Sequence, residues 1–340
     1  MTGQSTARFV GYRLVGACAL GVFLAAATGP AVAKGFVMGF DVVGSKATYA
    51  TAVNNAGAVT GYYRDGNFVP HGFVLTPGGK IKTFDANKSA STQPASINGR
   101  GTIAGTYYDG DTGVAHGFVR SRKGTFERFD PAGSRKTVAA GINDDGTVTG
   151  WYVDAEAVEI GYIRKLDGST TSFKVPKAES TMPVAINRGG AVTGGWLDSD
   201  GEQRGFVRAS DGTLTTFKVS GGLATLPQSI NETGTVGGFY IDGSFAEHGF
   251  LFYPDGTIEK FDVPGATSTQ INGVSASGAL AGTFVFEAMG RAMFRTPGGK
   301  LRRFDGPQAI ATQATGINDK DAIAGYYATS DSIHGFIRTP

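Results

Sequence analysis

Residues 97–107 read Ile97-Asn98-Gly99-Arg100-Gly101-Thr102-Ile103-Ala104-Gly105-Thr106-Tyr107, an Ile-Asn-x-x-Gly-x-x-x-Gly signature that runs into an aromatic residue. Its asparagine recurs at Asn54, Asn98, Asn143, Asn187, Asn231 and Asn318, with Ser275 in the same place of a degenerate copy. The steps are 44, 45, 44, 44, 44 and 43 residues. A fixed period in the mid-forties with glycine-rich turns is the mark of stacked four-stranded units.

Each unit contains four short segments of strand character. The first ends in Ile/Val-Asn, and the second runs through the paired glycines to the aromatic residue. The third carries His-Gly-Phe-Val or a variant (His71–Val74, His116–Val119, His248–Leu251, His334–Ile337), and the fourth ends in Phe, often Phe-Asp. Asn-x-x-Gly between the first two segments suits a type I turn closed by a left-handed residue. The seventh unit reaches Pro340 without a fourth strand, while Phe36–Val42 holds a Phe40-Asp41 one period before Phe84-Asp85. The reading is all-β: a seven-bladed β-propeller of four-stranded blades over residues 34–340, closed by the N-terminal strand, which removes two open sheet edges.

Position-specific residues fit this order. Two before the signature position stand Ala52, Ser96, Gly141, Ala185, Ser229, Gly273 and Gly316, all small, as a crowded innermost strand requires. Two after the second glycine stand Tyr63, Tyr107, Tyr152, Trp196, Tyr240, Phe284 and Tyr327. The third strand carries Phe73, Phe118, Tyr162, Phe206, Phe250, Met293 and Phe336, large apolar residues able to fill gaps between blades.

The first 33 residues differ in kind. Arg8 and Arg13 precede an apolar run, Leu14–Ala27, which Thr28-Gly29-Pro30 breaks before Ala31-Val32-Ala33. That is the pattern of a secretory signal peptide cut after Ala33, and the run is short of the roughly 20 residues a bilayer span needs. Secreted or periplasmic localisation follows, with no membrane attachment after cleavage. Cys18, the single cysteine, lies inside the leader, so the mature chain has neither disulfides nor thiol chemistry. Without the leader's two arginines the chain has 29 basic and 29 acidic residues, a balance that gives no electrostatic reason to bind nucleic acid.

The Ile-Asn-x-x-Gly-x-x-x-Gly and His-Gly-Phe-Val units resemble the bacterial extracellular repeats of the HAF family, named for a His-Ala-Phe motif, with Gly here in place of that Ala. The resemblance covers residues 36–340. It implies an exported bacterial protein and hands over no catalytic residues.

Several residues are candidates for chemistry. All four histidines (His71, His116, His248, His334) share one repeat position, replaced elsewhere by Ile160, Arg204 and Arg291. On third strands, roughly 15 Å from an axis at strand spacings of about 4.8 Å, they cannot converge on one metal and read as hydrogen-bonded structural groups. Four residues after the second glycine stand Asp65, Asp109, Asp154, Asp198 and Asp242. They read as turn starters; the sharper readings are a weak calcium site or an acid–base pair for glycoside cleavage. One residue after that glycine, Tyr62, Trp151, Phe239 and Tyr326 are variable aromatics that could stack on sugars or grip a peptide. These nine residues are the candidate binding set, with no catalytic residue, metal ligand or cofactor assigned. The variable links, second-to-third and fourth-to-first strand, share one rim, where loops on a rigid scaffold carry function. The expected function is a monomeric, non-enzymatic binding or interaction module for an extracellular glycan or protein. The alternatives are an extracellular carbohydrate-active enzyme, hydrolase or lyase, and a calcium-stabilised surface protein.

Overall fold

The computed structural model describes residues 35–86 and 89–340; the leader, its cleavage site and Cys18 lie outside them. The described residues form 28 strands. They pair antiparallel into seven sets of four, six of them each one repeat unit. Lys136–Ile142, Val148–Val153, Glu159–Arg164 and Thr170–Phe173 make up one such set. Two single parallel pairings, Ala47 with Ile333 and Gln203 with Ala224, join neighbouring sets into larger sheets.

The strand Phe36–Phe40 lies antiparallel to Ile333–Thr339, with Phe40 opposite Gly335 and Phe36 opposite Thr339. It supplies the fourth strand to the set whose other three are Ala311–Ile317, Ile323–Ala328 and Ile333–Thr339. The contacts copy those of other sets. The Phe40 ring covers Gly335 as Phe84 covers Gly72 and Phe129 covers Gly117. Asp41 bonds His334 as Asp85 bonds His71, both at 2.8 Å.

The signature turn forms as its composition predicts. In the first copy the Gly57 amide donates to the Asn54 carbonyl at 2.9 Å, and Gly57 is left-handed at φ 81°. The asparagine side chain does two jobs. Its Oδ1 accepts from the amides of Ala56 and Ala58, holding its own turn, and its Nδ2 donates 2.8 Å to the carbonyl of Asn98, one period on. The same link runs from Asn98 to Asn143, Asn143 to Asn187, Asn187 to Asn231 and Asn231 to Ser275. Asn318 donates 2.8 Å to the carbonyl of Asn54. Buried amides satisfied in this way tie neighbouring sets main chain to side chain.

Every first strand carries a β-bulge just before the small position, for example between Ala139 and Gly141. The bulge drives a carbonyl against the second glycine of the signature: a Cβ on Gly150 would lie 2.0 Å from the Val138 oxygen, and the other six copies are equally closed, at 2.0–2.5 Å. The second glycine is therefore a demand of the bulge. Gaps between sets are filled by aromatic pairs. Phe84 meets Phe118, Phe129 meets Tyr162, Phe173 meets Phe206, Phe217 meets Phe250 and Phe304 meets Phe336 at 5.8–6.5 Å between centroids, edge to face. Phe40 meets Phe73 in the same way at 5.7 Å. The uniform aromatics of the second strand do something else: Tyr63, Tyr107, Tyr240 and Tyr327 stack on the histidine of their own set, at 5.0–5.3 Å.

Gly150→Ala should lower unfolding stability by about 1–3 kcal/mol through overpacking against fixed backbone. Gly316→Ala, where an added Cβ meets nothing within 4 Å, should stay within about 0.5 kcal/mol of the parent. Urea unfolding of both variants checks the contrast.

Candidate functional site

The five candidate aspartates all sit where a second strand gives way to its turn, and all are used there in one way. Asp65 Oδ1 accepts from the amides of Asn67 and Val69 at 2.9 and 2.8 Å. Asp154 accepts from Glu156 and Val158, and Asp198 from Asp200 and Glu202. Asp109 holds the Asp111 and Thr112 amides and the Thr112 hydroxyl, and Asp242 holds Ser244 and Ala246. The second oxygen of three of them turns to the third strand: Asp65 to His71 Nε2 at 3.6 Å, Asp242 to His248 Nε2 at 3.3 Å, Asp198 to Arg204 at 2.6 Å. Among the described residues no three His, Cys, Asp or Glu side chains gather as a metal would require.

The histidines follow the same economy. Nδ1 of His71, His116, His248 and His334 meets the aspartate of a Phe-Asp pair (Asp85, Asp130, Asp262, Asp41) at 2.7–3.0 Å. Where the histidine is replaced, the aspartate is kept in one set and lost in two. Arg291 pairs with Asp305 at 2.5 Å, whereas Ile160 and Arg204 belong to sets that place Lys174 and Lys218 after the phenylalanine. There Glu202 bridges Arg204 and Lys218 at 3.0 and 2.7 Å.

His248 lies between two carboxylates. Burial works against its charged form, but hydrogen bonding and charge from Asp262 and then Asp242 outweigh it and raise its pKa. Asp242 is drawn down to about 2, first by the Ser244 hydroxyl, then by the Ala246 and Ser244 amides and His248. Asp65 and Asp109 are lowered for the same reason, with turn amides as the leading cause.

The candidate aromatics do not form one group. Tyr62 stacks on Tyr49 at 4.8 Å, and Tyr326 meets Tyr49 edge-on at 5.0 Å, so these two converge through a residue that the sequence pattern had not marked. The Tyr326 hydroxyl bonds Gln313. Trp151 is half-buried under the Lys136 ammonium at 4.7 Å, and Phe239 pairs across its strand with Leu226.

A cleft of about 240 Å³ lies elsewhere, on the rim of the Asn-x-x-Gly and third-to-fourth-strand turns, between the first two sets. It is opposite the rim where sequence reasoning expected a ligand. Two further recurrent features escaped that reasoning. Thr48, Thr92, Thr137, Thr181, Thr225, Thr269 and Thr312 stand six residues before each signature position and are essentially fully buried. Six of these hydroxyls accept the amide of the residue six positions earlier, as Thr92 does from Ala86; Pro131 has no such amide to give Thr137. Arginines at the end of the third strand, such as Arg120 and Arg164, lie over the phenylalanine of the preceding set. Both could have been found by aligning the repeats on the asparagine.

No protein-family model and no curated protein matches the chain. Solved structures do. The β-propeller domain of the Trilobed protease from Pyrococcus furiosus, which has an open velcro topology, is similar at TM-score 0.61 and 11% identity over 86% of this chain and 96% of that one. TolB from Acinetobacter baumannii is similar at TM-score 0.51 and 10% identity over 72% and 65%. The BP39L lectin from Burkholderia pseudomallei is similar at TM-score 0.53 and 9% identity over 86% and 95%.

Two pH effects follow. The His248 ring should titrate above its ordinary 6.5, and Asp262→Asn should bring it down, as read by NMR of the ring protons. Being raised in the fold, this group adds stability below about pH 6.5 that is lost as pH rises through the folded pKa. Asp242 is depressed and acts oppositely: its contribution is present above about pH 4 and lost as pH falls toward 2. Asp242→Asn should thus be less stable than the parent at neutral pH, with the gap closing between about pH 4 and 2 in thermal melts.

The fold that these strand sets build, and that the solved structures share, is that of the β-propellers.

Proposed function

We propose that the chain is an exported, seven-bladed propeller closed by its N-terminal strand, a member of the HAF-type repeats that works as a monomeric, non-enzymatic binding module. The observation that carries the non-enzymatic reading is the repetition of chemistry. Every candidate carboxylate and imidazole is engaged, in successive units, in the same turn or strand-to-strand bond. Catalysis of glycoside cleavage needs two carboxyls set apart for distinct roles, and groups committed alike to local amides do not supply that asymmetry. The calcium alternative is weakened by the same commitment.

Closure is supported by two contacts across the chain's two ends that copy internal ones, Asp41 to His334 and Asn318 to the Asn54 carbonyl, and by Phe40 meeting Phe73 as the phenylalanines of other neighbouring sets meet. For the ligand, a glycan or protein surface, the reading rests on Tyr62 and Tyr326, gathered by Tyr49 near the variable rim. No cofactor enters this reading.

The test is a polysaccharide panel scored for retention and for released product. Retention without product, weakened by Tyr62→Ala and Tyr326→Ala, is the expected result; steady release of oligosaccharide would overturn the non-enzymatic reading. Removing residues 34–44 should lower the melting temperature and cause self-association through the exposed edge of the strand 333–339. A truncated chain that melts like the parent and stays monomeric would remove the closure.

A further inference from the structure

The repeats supply their own comparison at the boundary between sets. The residue ending the third strand faces the residue two before the terminal phenylalanine of the preceding set. At two boundaries this is a matched ion pair: Arg164 with Glu127, and Arg295 with Glu259 at 3.4 Å. Register places Lys82 in the same position, since Lys82 lies opposite Val74 just as Glu127 lies opposite Val119 and Glu259 opposite Leu251. The arginine it serves is Arg120. At this boundary a cation stands where those two have the carboxylate, and this is also where the cleft of about 240 Å³ opens.

Arg120 is 8% exposed, and its Nε has no hydrogen-bond partner among the described residues. Its guanidinium lies over Phe84 at 4.4 Å, and among the described residues its one side-chain hydrogen bond is a long 3.4 Å contact to the Ser121 carbonyl. Lys82, Arg100 and Arg122 line the same cleft, and among the described residues no acidic side chain does. A second boundary has a cation in both places, Arg302 and Arg338, but there Asp321 supplies charge to Arg338. Asp321 stands three residues after its signature asparagine, and the equivalent residue beside Arg120 is Gly101, which itself lines the cleft. Desolvation alone depresses Arg120, with no carboxylate to offset it. A buried guanidinium without a counter-charge is costly, and its planar fork matches an oxyanion.

We propose that this cleft is a binding site for a small ligand with an oxyanion head group, a carboxylate, sulfate or phosphate, seated where Glu127 and Glu259 place their carboxylates at the other boundaries. The body of the ligand rests on Val74 and Ile97. The volume is below the roughly 300–1,000 Å³ of drug-sized sites and suits a single sugar acid or a free anion. The site lies on the rim opposite the tyrosine cluster and does not depend on the function proposed above.

Lys82→Glu is the decisive variant, because it builds into this boundary the ion pair found at two others. Parent and variant are melted with sodium galacturonate, sodium sulfate and sodium phosphate at constant ionic strength, and the Arg120 Nε–H signal is followed by NMR. The expected result is a saturable rise in melting temperature and a shifted Arg120 signal in the parent with at least one anion, the responsive one identifying the head group. Lys82→Glu should melt higher than the parent without any anion and show no further response beyond the general salt effect. Equal responses in parent and variant, or an Arg120 signal that moves with none of the three anions, would overturn the site.

Discussion

One side chain holds this architecture together. The signature asparagine closes its own turn with Oδ1 and reaches the equivalent carbonyl of the next set with Nδ2. The residue is buried, so losing either bond would leave a polar group unsatisfied at a cost of about 1–3 kcal/mol. The period of the sequence is the spacing of this bond. It also brings first strands close together and crowds the position two residues earlier at some boundaries: a Cβ on Gly273 would meet Ile317 at 3.0 Å and one on Gly141 would meet Ile186 at 3.3 Å, whereas Gly316 has room.

Outside that belt, cohesion between sets passes to aromatic and cationic side chains. A phenylalanine ending one set meets the phenylalanine, or Tyr162, of the next edge to face, a geometry worth about 0.5–1.5 kcal/mol beyond its buried area. An arginine then lies over the same ring at five boundaries, with guanidinium distances of 4.4–5.2 Å to the ring. At a sixth, Phe252 stacks flat on Phe217 at 4.1 Å instead. Arginine and phenylalanine are exchangeable there because the position asks for a flat group over a ring, while charge is settled separately by the residue across the gap.

The repeat made the strand order, the turn type and the pairing of Phe36–Phe40 with the last strand legible without coordinates, since each follows from counting between like residues. The histidines were legible as structural groups from geometry alone, but their partner was not, although Phe-Asp was in plain view: the 14 residues between His71 and Asp85 become a contact only when third and fourth strands are laid in register. Tyr49 was invisible because its equivalents are Gln93, Val138, Met182, Leu226, Gln270 and Gln313, none of them aromatic. The cleft was missed for a related reason. A lysine two residues before a phenylalanine carries no signal until its column is seen to hold glutamate opposite a buried arginine elsewhere.

The sixth unit indicates how departures from the pattern should be read. Ser275 keeps half of the asparagine's work, its Oγ accepting from the Ala279 amide at 3.1 Å, and has no Nδ2 to send onward. The boundary keeps two contacts that others also carry: the Ala276 amide donates to Asp319 at 2.8 Å, as Gly99 does to Asp144, and Asn272 Nδ2 donates to the Ala314 carbonyl at 2.7 Å, where Thr51 donates to the Pro94 carbonyl. Arg291 with Asp305 takes the place of a histidine–aspartate pair, and Met293 fills the phenylalanine's buried place. Substitutions inside this repeat are therefore tolerated when other contacts hold the boundary or an equivalent pair takes over. Drift and specialisation can be told apart by that criterion: a departure that is chemically repaired reports only the fold's requirements, whereas one left unrepaired around a buried charge, as at Lys82 and Arg120, calls for a partner from outside the chain.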